Sequence, residues 1–363
     1  MIYLDYQATT PLAPEARDAM LPWLGGADGD GYANPHSAHR PGRAAAAAVE
    51  VARDQVAALM PPGGRVIFTS GATEAINLAI FGTMRRSGST FAATTIEHAA
   101  VLDCAQAIAA TNMVSALPVD REGLVDPECD LAGSLALLAV MHVNNEIGTV
   151  QPVARLAERV HARGALVLCD AVQGWGKLPL PEGCDMIAVS AHKLYGPKGI
   201  GALWVRDGIP LDPLIHGGGQ QGGLRSGTLS PALCAGFGVA ARLAGECAVA
   251  DRVHAEGLAA IVRAELADWT LNGSETARWP GNLNLRWDGL DVARLMSDLR
   301  SVAFSAGSAC ASGSGRPSHV LRAIGLSAAQ ANSSIRLGFG RYSTEDSVRR
   351  AAQAIAAAAA AQE

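Results

Sequence analysis

Lysine is nearly missing from this chain of 363 residues: it has three, against twenty-six arginines. Two of the three stand in one stretch, Ser190-Ala-His-Lys-Leu-Tyr-Gly-Pro-Lys198. Where arginine has taken over most cationic positions, a remaining lysine points to a task arginine cannot do. The main such task is nucleophilic, because an amine can lose its proton and condense with a carbonyl whereas guanidinium stays charged. Lys193 follows the apolar run Met186-Ile-Ala-Val-Ser190 and is followed by glycines at 196, 199 and 201. That is the carboxyl end of a strand opening into a loop, where α/β proteins place their chemistry.

Other scarcities exclude whole classes. Aromatic residues make up only 5% of the chain, so the core is built from Ala, Val, Leu and Ile. A net charge of −5 leaves no basic footprint for nucleic acid. No apolar run reads as reaching the ~18–20 residues that span a bilayer. The amino terminus, Met1-Ile-Tyr-Leu-Asp-Tyr, shows no secretion signal. A soluble cytoplasmic protein is expected, acting on neither nucleic acid nor membrane. The seven cysteines form no CxxC pair and no metal-ligand spacing, and their odd number argues against a disulfide framework. Most of them lie in apolar or helical surroundings and read as inert core residues. Cys310 differs, lying in the polar, small-residue stretch Ser305-Ala-Gly-Ser-Ala-Cys-Ala-Ser-Gly-Ser-Gly315.

From about 40 to 205, short apolar runs alternate with helix-compatible segments. Strands are predicted at 66–70, 91–96, 135–143, 165–169, 186–190 and 202–205, and helices at 43–60, 73–84 and 153–163. Such alternation specifies an α/β architecture, a mainly parallel sheet covered by helices on both faces. A helix over 231–248 leads to a different texture with strands at 282–286 and 334–338. The expected organisation is a large domain over 15–249 and a smaller α+β domain made of 1–14 and 250–363.

Five segments of the large domain put a polar group at a strand end or helix start. In Thr69-Ser-Gly-Ala-Thr-Glu74 a strand passes through glycine into a helix. The amides at that helix start, with the Thr73 hydroxyl, can cradle a phosphate, although a capping threonine accounts for the pattern equally well. Asp170 emerges from a buried strand with Gln173 three residues on. It requires a cationic or hydrogen-bonding partner such as a protonated pyridine nitrogen, or else serves as the cap of a helical turn after the strand. Glu97-His98 ends a strand with a flat imidazole that can stack on a ring. Asn144-Asn-Glu-Ile-Gly148 can bond a ring hydroxyl. Lys193 completes the set, flanked by Ser190 and His192. Together these are the requirements of pyridoxal 5'-phosphate.

The chain also resembles a known family. Tyr3-Leu-Asp-Tyr-Gln-Ala-Thr-Thr-Pro11, Ser70-Gly-Ala-Thr-Glu74, Glu97-His98, His142-Val-Asn-Asn-Glu-Ile-Gly148 and Ser190-Ala-His-Lys-Leu-Tyr-Gly-Pro-Lys-Gly199 look like the cysteine desulfurases. So do Leu224-Arg-Ser-Gly-Thr-Leu229, Ser305-Ala-Gly-Ser-Ala-Cys310 and Ser334-Ile-Arg336. The group resembled is the NifS/IscS-like one, within the class V aminotransferases of fold type I. The resemblance implies a seven-stranded sheet sandwiched by helices, pyridoxal 5'-phosphate as cofactor, and conversion of L-cysteine to L-alanine with a persulfide formed on Cys310. It implies that Lys193 holds the cofactor and moves the Cα proton, that Asp170 keeps the pyridine nitrogen protonated, and that His98 stacks on the ring. Asn145 and Gln173 would bond the phenolic oxygen, and Ala72, Thr73, Ser190 and His192 the phosphate. Thr228 would reach the phosphate of a neighbouring subunit, implying a homodimer. Arg336, with Asn34 nearby, would bind the substrate carboxylate.

Two departures stand out. Where the family usually carries an arginine or similar residue near position 222, this chain reads Gly217-Gly-Gly-Gln-Gln-Gly-Gly223. It also stops soon after its last predicted helix, so the tail that some relatives use to dock an iron–sulfur scaffold is expected to be missing. The sulfur acceptor, a scaffold or another sulfur carrier protein, stays open. A selenocysteine lyase or a class V aminotransferase is the alternative within the fold. A non-catalytic subunit that binds sulfur carriers is the alternative outside it, and has no need of Lys193, Asp170, His98 and Cys310 together.

Overall fold

The apolar runs of the first two-thirds of the chain pair into one seven-stranded sheet in this computed structural model, which describes residues 1–26, 29, 31–87, 89–131, 133–307 and 317–362. A short β1 (Ile2–Tyr3), α1 (Pro14–Met20) and α2 (Arg40–Ala57) precede it. Its strands are β2 (Gly64–Thr69), β3 (Thr90–Thr94), β4 (Val114–Leu117), β5 (Leu135–Met141), β6 (Leu166–Asp170), β7 (Met186–Ser190) and β8 (Gly201–Arg206), with α3 (Ala72–Ser87), α4 (Ala99–Ile108) and α5 (Val153–His161) between them. The order across the sheet is β2-β8-β7-β6-β5-β3-β4. Pairings from β4 through to β7 are parallel, and β8 runs antiparallel to both of its neighbours. The connection 191–200 is too short for a crossover back to a parallel position, so the chain turns round.

Near-continuous apolar strands are what a sheet buried on both faces requires. Ile67, Leu137, Leu168, Met186 and Leu203 pack beneath α3 and α4. Their sequence neighbours Phe68, Leu138, Val167, Ile187 and Ala202 face the other way, onto α2, α5 and α6 (Pro231–Glu265). The period-2 alternation therefore feeds two cores.

The helix α6 has 35 residues, far longer than the 231–248 predicted. Its polarity changes after Ala248, but Arg, Glu, Ala and Leu beyond that point are all good helix formers, so the helix continues. The expected domain boundary at 249/250 falls inside it. By length and apolar composition α6 could cross a bilayer, contrary to the expectation that no such run exists. Many of its apolar residues are buried within the protein, although Val249 and Val253 are exposed. Phe237 meets Trp175 edge-on at 5.6 Å, while Leu258 and Val262 enter the core of the C-terminal part.

That part contains β9 (Thr270–Asn272), β10 (Asn282–Arg286), α7 (Val292–Asp298), β11 (Val302–Ala303), β12 (Ser305–Ala306), α8 (His319–Ala323), α9 (Ala328–Asn332), β13 (Ser334–Gly338) and α10 (Glu345–Ala360). A four-stranded antiparallel sheet, β12-β13-β10-β9, buries Leu283, Leu285, Ile335 and Leu337 against the α6 end, α7 and α10. The alternate residues Asn282, Asn284, Ser334 and Arg336 form a buried polar face, and Asn284 Nδ2 donates to the Glu146 carbonyl at 3.2 Å. Polar alternation thus turns one face of the small sheet toward the loops of the large one. The amino-terminal residues join both: β1 pairs with β11, whereas Thr10 N donates to the His192 carbonyl at 2.8 Å.

Candidate active site

Because β2, β3, β5, β6 and β7 run the same way, the polar residues at their carboxyl ends collect along one edge of the sheet. There they line a cavity of about 540 Å³. Ala72, Thr73, His98, Asn145, Asp170, Gln173, Ser190, His192, Lys193 and Arg336 all border it, so ten of the expected site residues are brought together. Asn34 and Thr228 do not border it: both are exposed, and Asn34 Oδ1 accepts from His36 N at 2.8 Å. Cys310 lies outside the described residues.

One end of the cavity is the start of α3. Gly71 has open space where a side chain would stand, and the amides of Ala72 and Thr73 belong to the first turn of a sixteen-residue helix. Close packing underneath depends on Gly201, since a Cβ there would lie 2.5 Å from the Val189 carbonyl oxygen and 2.8 Å from the Gly71 Cα. His192 borders the same end, its Nδ1 3.2 Å from the Thr9 hydroxyl. Burial, reinforced by the charges of Lys193, Lys198 and Lys177, lowers its pKa to about 4, which keeps the imidazole neutral.

Lys193 lies toward the middle of the sheet. Its Nζ donates to the carbonyls of Gln7 and, at 2.8 Å, Ala8. The Gln7 carbonyl also accepts from Gln173 Nε2 at 3.0 Å, so one main-chain oxygen fixes two cavity residues. The Gln173 Oε1 is buried with no partner among the described residues, an unsatisfied atom that a ligand would relieve. Asp170 is buried, and its Oδ1 accepts from Val172 N at 3.0 Å. Burial raises its pKa, while His98, the Val172 amide and Lys193 oppose the rise. A donor that is itself cationic would complete this carboxyl. His98 caps α4, its Nδ1 accepting from Ala100 N at 3.1 Å, which fixes the ring beside the cavity.

Arg336 enters from the small sheet. It is 1% exposed, with Nη2 2.8 Å from Asp5 Oδ1 and Nη1 donating to the Asn145 carbonyl at 3.0 Å. Its Nε has no partner among the described residues. The residues present fit pyridoxal 5'-phosphate: an anion cradle at a helix start, a buried carboxyl, an amide oxygen without a partner among the described residues, and an amine share one cavity.

Several contributors carry no role in the sequence reading. The carbonyls of Gln7 and Ala8 belong to a quoted motif, yet main-chain acceptors leave no mark on side-chain identity. Glu97 is fully buried, accepting from the Thr94 hydroxyl at 2.7 Å and Met141 N at 2.9 Å. Desolvation pushes its pKa up to about 8, with Asp170 adding to the rise and the two hydrogen bonds opposing it. Glu146 is also buried, accepts from the Ser318 hydroxyl, and is raised by burial to about 7 against the pull of Ser318, Arg336 and His98. The six described cysteines are free, and burial pushes the Cys104 and Cys234 thiols up to about 11 and about 12.

The profile of the aminotransferase class-V family matches residues 2–351. The cysteine desulfurase of Mus musculus is 42% identical over 96% of this chain and 79% of its own length. The cysteine desulfurase IscS of Rickettsia akari (strain Hartford) is 40% identical over 96% of this chain and 88% of its own. This chain belongs to the cysteine desulfurases of the class-V aminotransferase family. A solved structure named NifS-like protein superposes with a TM-score of 0.90 at 31% identity, covering 98% of each chain. The desulfurase fold expected from the sequence, a mainly parallel sheet flanked by helices, is the fold observed. The family depends on pyridoxal 5'-phosphate.

Proposed function

We propose that this protein is a pyridoxal 5'-phosphate-dependent cysteine desulfurase that takes sulfur from L-cysteine, releases L-alanine and carries the sulfur as a persulfide on Cys310. The observation that carries the reading is the convergence of Lys193, Asp170, Gln173 and His98 on one cavity, in a member of this family.

When bound, the cofactor supplies an electron sink for bond breaking at the substrate Cα. The chain's residues do the rest. The amides of Ala72 and Thr73, the hydroxyls of Thr73 and Ser190, and neutral His192 hold the phosphate. Asp170 keeps the proton on the ring nitrogen, His98 stacks on the ring, and Asn145 and Gln173 bond its phenolic oxygen. Lys193 would hold the cofactor covalently, and its amine would move the Cα proton. Arg336 binds the substrate carboxylate. The Cys310 thiolate attacks the substrate sulfur: an S–S bond forms, the C–S bond breaks, and its electron pair stays on the carbon that is protonated to become the methyl group of L-alanine.

The protein acts as a homodimer in the cytoplasm and hands its sulfur to an acceptor protein, an iron–sulfur scaffold or another sulfur carrier. Thr228 supports the dimer: it is exposed and stands off its own cavity. The reading is tested with the holoenzyme, L-cysteine and excess thiol reductant. Equal amounts of L-alanine and sulfide are expected. Turnover that requires an added keto acid and releases no sulfide, the sulfur staying on the carbon skeleton, would replace this reading with a transaminase.

A further inference from the structure

Gln221 stands in the glycine-rich stretch Gly217–Gly223, and its backbone is in the left-handed region at φ 53° and ψ 43°. Only one other non-glycine residue among those described, Tyr195, has a positive φ. A side-chain-bearing residue is strained there, so something must hold it. Its side chain does so. Gln221 Nε2 donates to the Phe68 carbonyl at 2.8 Å, and Phe68 N donates back to Gln221 Oε1 at 2.8 Å. Phe68 lies on β2, the edge strand of the large sheet, so a side-chain amide occupies the place of a neighbouring strand's peptide group. Arg53 extends the cover, with Nη1 donating to the Val66 carbonyl at 2.8 Å and to Gln221 Oε1 at 3.1 Å.

The segment that Gln221 pins runs on to Thr228 and is braced twice more. Gly227 N donates to Gln220 Oε1 at 2.9 Å, directly before Thr228. Arg225 makes a two-pronged pair with Glu74, Nε to Oε1 at 2.7 Å and Nη2 to Oε2 at 3.2 Å. Glu74 also accepts from Ser70 N at 2.6 Å, beside the anion cradle. Three anchors thus stand behind one exposed hydroxyl.

We infer that Gln221, by pairing its side-chain amide with the edge of β2 at Phe68, is a positioning residue that holds Thr228 for the phosphate cradle of a second copy of this chain. The inference rests on the homodimer reading. It also gives Gln221 a function: its amide supplies both a donor and an acceptor to β2.

The test is a double-mutant cycle on the holoenzyme, reading the rate of cofactor release into phosphate-free buffer, with oligomeric state followed by sedimentation velocity. Losing the paired bonds in Gln221→Ala should speed release about tenfold. Gln221→Glu, which keeps the acceptor and loses the donor, should show an intermediate rate, and it serves alone if the alanine variant fails to fold. Because Gln221 acts through Thr228, Gln221→Ala with Thr228→Ala should release no faster than Thr228→Ala alone. Additive effects, or wild-type release from either Gln221 variant in a dimer, would overturn the positioning role and leave the dimer reading intact. A monomeric, cofactor-retaining wild type would overturn the dimer reading and the positioning role with it.

Discussion

Arg336 Nη2 lies 2.8 Å from Asp5 Oδ1, joining a strand of the small sheet to the first turn of the chain at the edge of the cavity. Ser305 strengthens the junction by donating its hydroxyl to the same Asp5 oxygen at 2.9 Å. A guanidinium buried to this degree needs a counter-charge, and Asp5 supplies it. The fork is only partly used: Nη2 donates to both Asp5 Oδ1 and the Ser305 hydroxyl, but Nε has no partner among the described residues and Nη1, bonded to the Asn145 carbonyl, has a second hydrogen to give.

Arg336→Lys should therefore damage substrate binding more than chemistry. A lysine keeps the charge but cannot reproduce the planar fork. Losing charge-assisted bonds of this kind is worth roughly 10- to 100-fold, expected in KM for L-cysteine with a much smaller change in kcat. Steady-state kinetics with the two constants resolved would check this, and an unchanged KM would remove Arg336 from the carboxylate site.

Asp170→Asn replaces a group able to hold a protonated ring nitrogen with a neutral amide. The Val172 amide can still bond the new side-chain oxygen, so the cavity should keep its shape and its cofactor. A loss of about 10²–10³ in kcat is expected, as for other electrostatic groups aimed at developing charge. Cofactor content from absorbance after denaturation, measured beside the rate, separates this outcome from simple loss of binding.

Lys193→Arg should abolish covalent attachment, because guanidinium does not condense with the cofactor's carbonyl. Borohydride reduction and then peptide mass analysis should place the cofactor on Lys193 in the wild type and nowhere in the variant. Label recovered on Lys177 or Lys198 instead would contradict the assignment.

Glu97 gives a prediction about stability against pH. Its pKa is about 8 in the folded chain and near 4.5 when unfolded, so between those values the folded state holds a proton that the unfolded state has released. Stability must then fall as pH rises through that window, by about 1.4 kcal/mol per pH unit from this group. Glu146, raised to about 7, adds a fall of the same sign. His142 works oppositely: burial lowers it to about 4, so stability falls as pH drops from 6.5 toward 4. In denaturant titrations from pH 6 to 8, Glu97→Gln should lose less stability than wild type, since the neutral amide mimics the protonated acid. A parallel decline in both would show that Glu97 is ionised in the folded protein.

Much of the site is legible in the sequence because its logic is linear. An apolar run ending in Asp170, or in Ser190 with Lys193 just beyond, announces both a buried strand and the group at its end. What stays hidden arises from partners far apart in the chain. The carbonyls of Gln7 and Ala8 become part of the site only when the amino terminus crosses the loop after β7, and Asp5 gains its role only opposite Arg336. The strand β4 escapes notice because it is a short edge strand, half exposed, without a fully apolar pattern. The helix α6 reads as too short because a change in polarity, which only marks the passage from one core to another, looks like an end. The glycine-rich stretch Gly217–Gly223 reads as a plain loop, and only the pairing of Gln221 with Phe68 shows that it is tied to the edge of the sheet.

Sulfur is transferred to one cysteine out of seven, Cys310, in the proposed reaction. The most direct measurement incubates the holoenzyme with ³⁴S-labelled L-cysteine, without reductant, and maps persulfide by peptide mass analysis in wild type and Cys310→Ala. Labelled persulfide on Cys310 of the wild type, matched mole for mole by L-alanine, with neither product in the variant, is the predicted result. Label on another cysteine, or undiminished L-alanine from Cys310→Ala, would contradict the account.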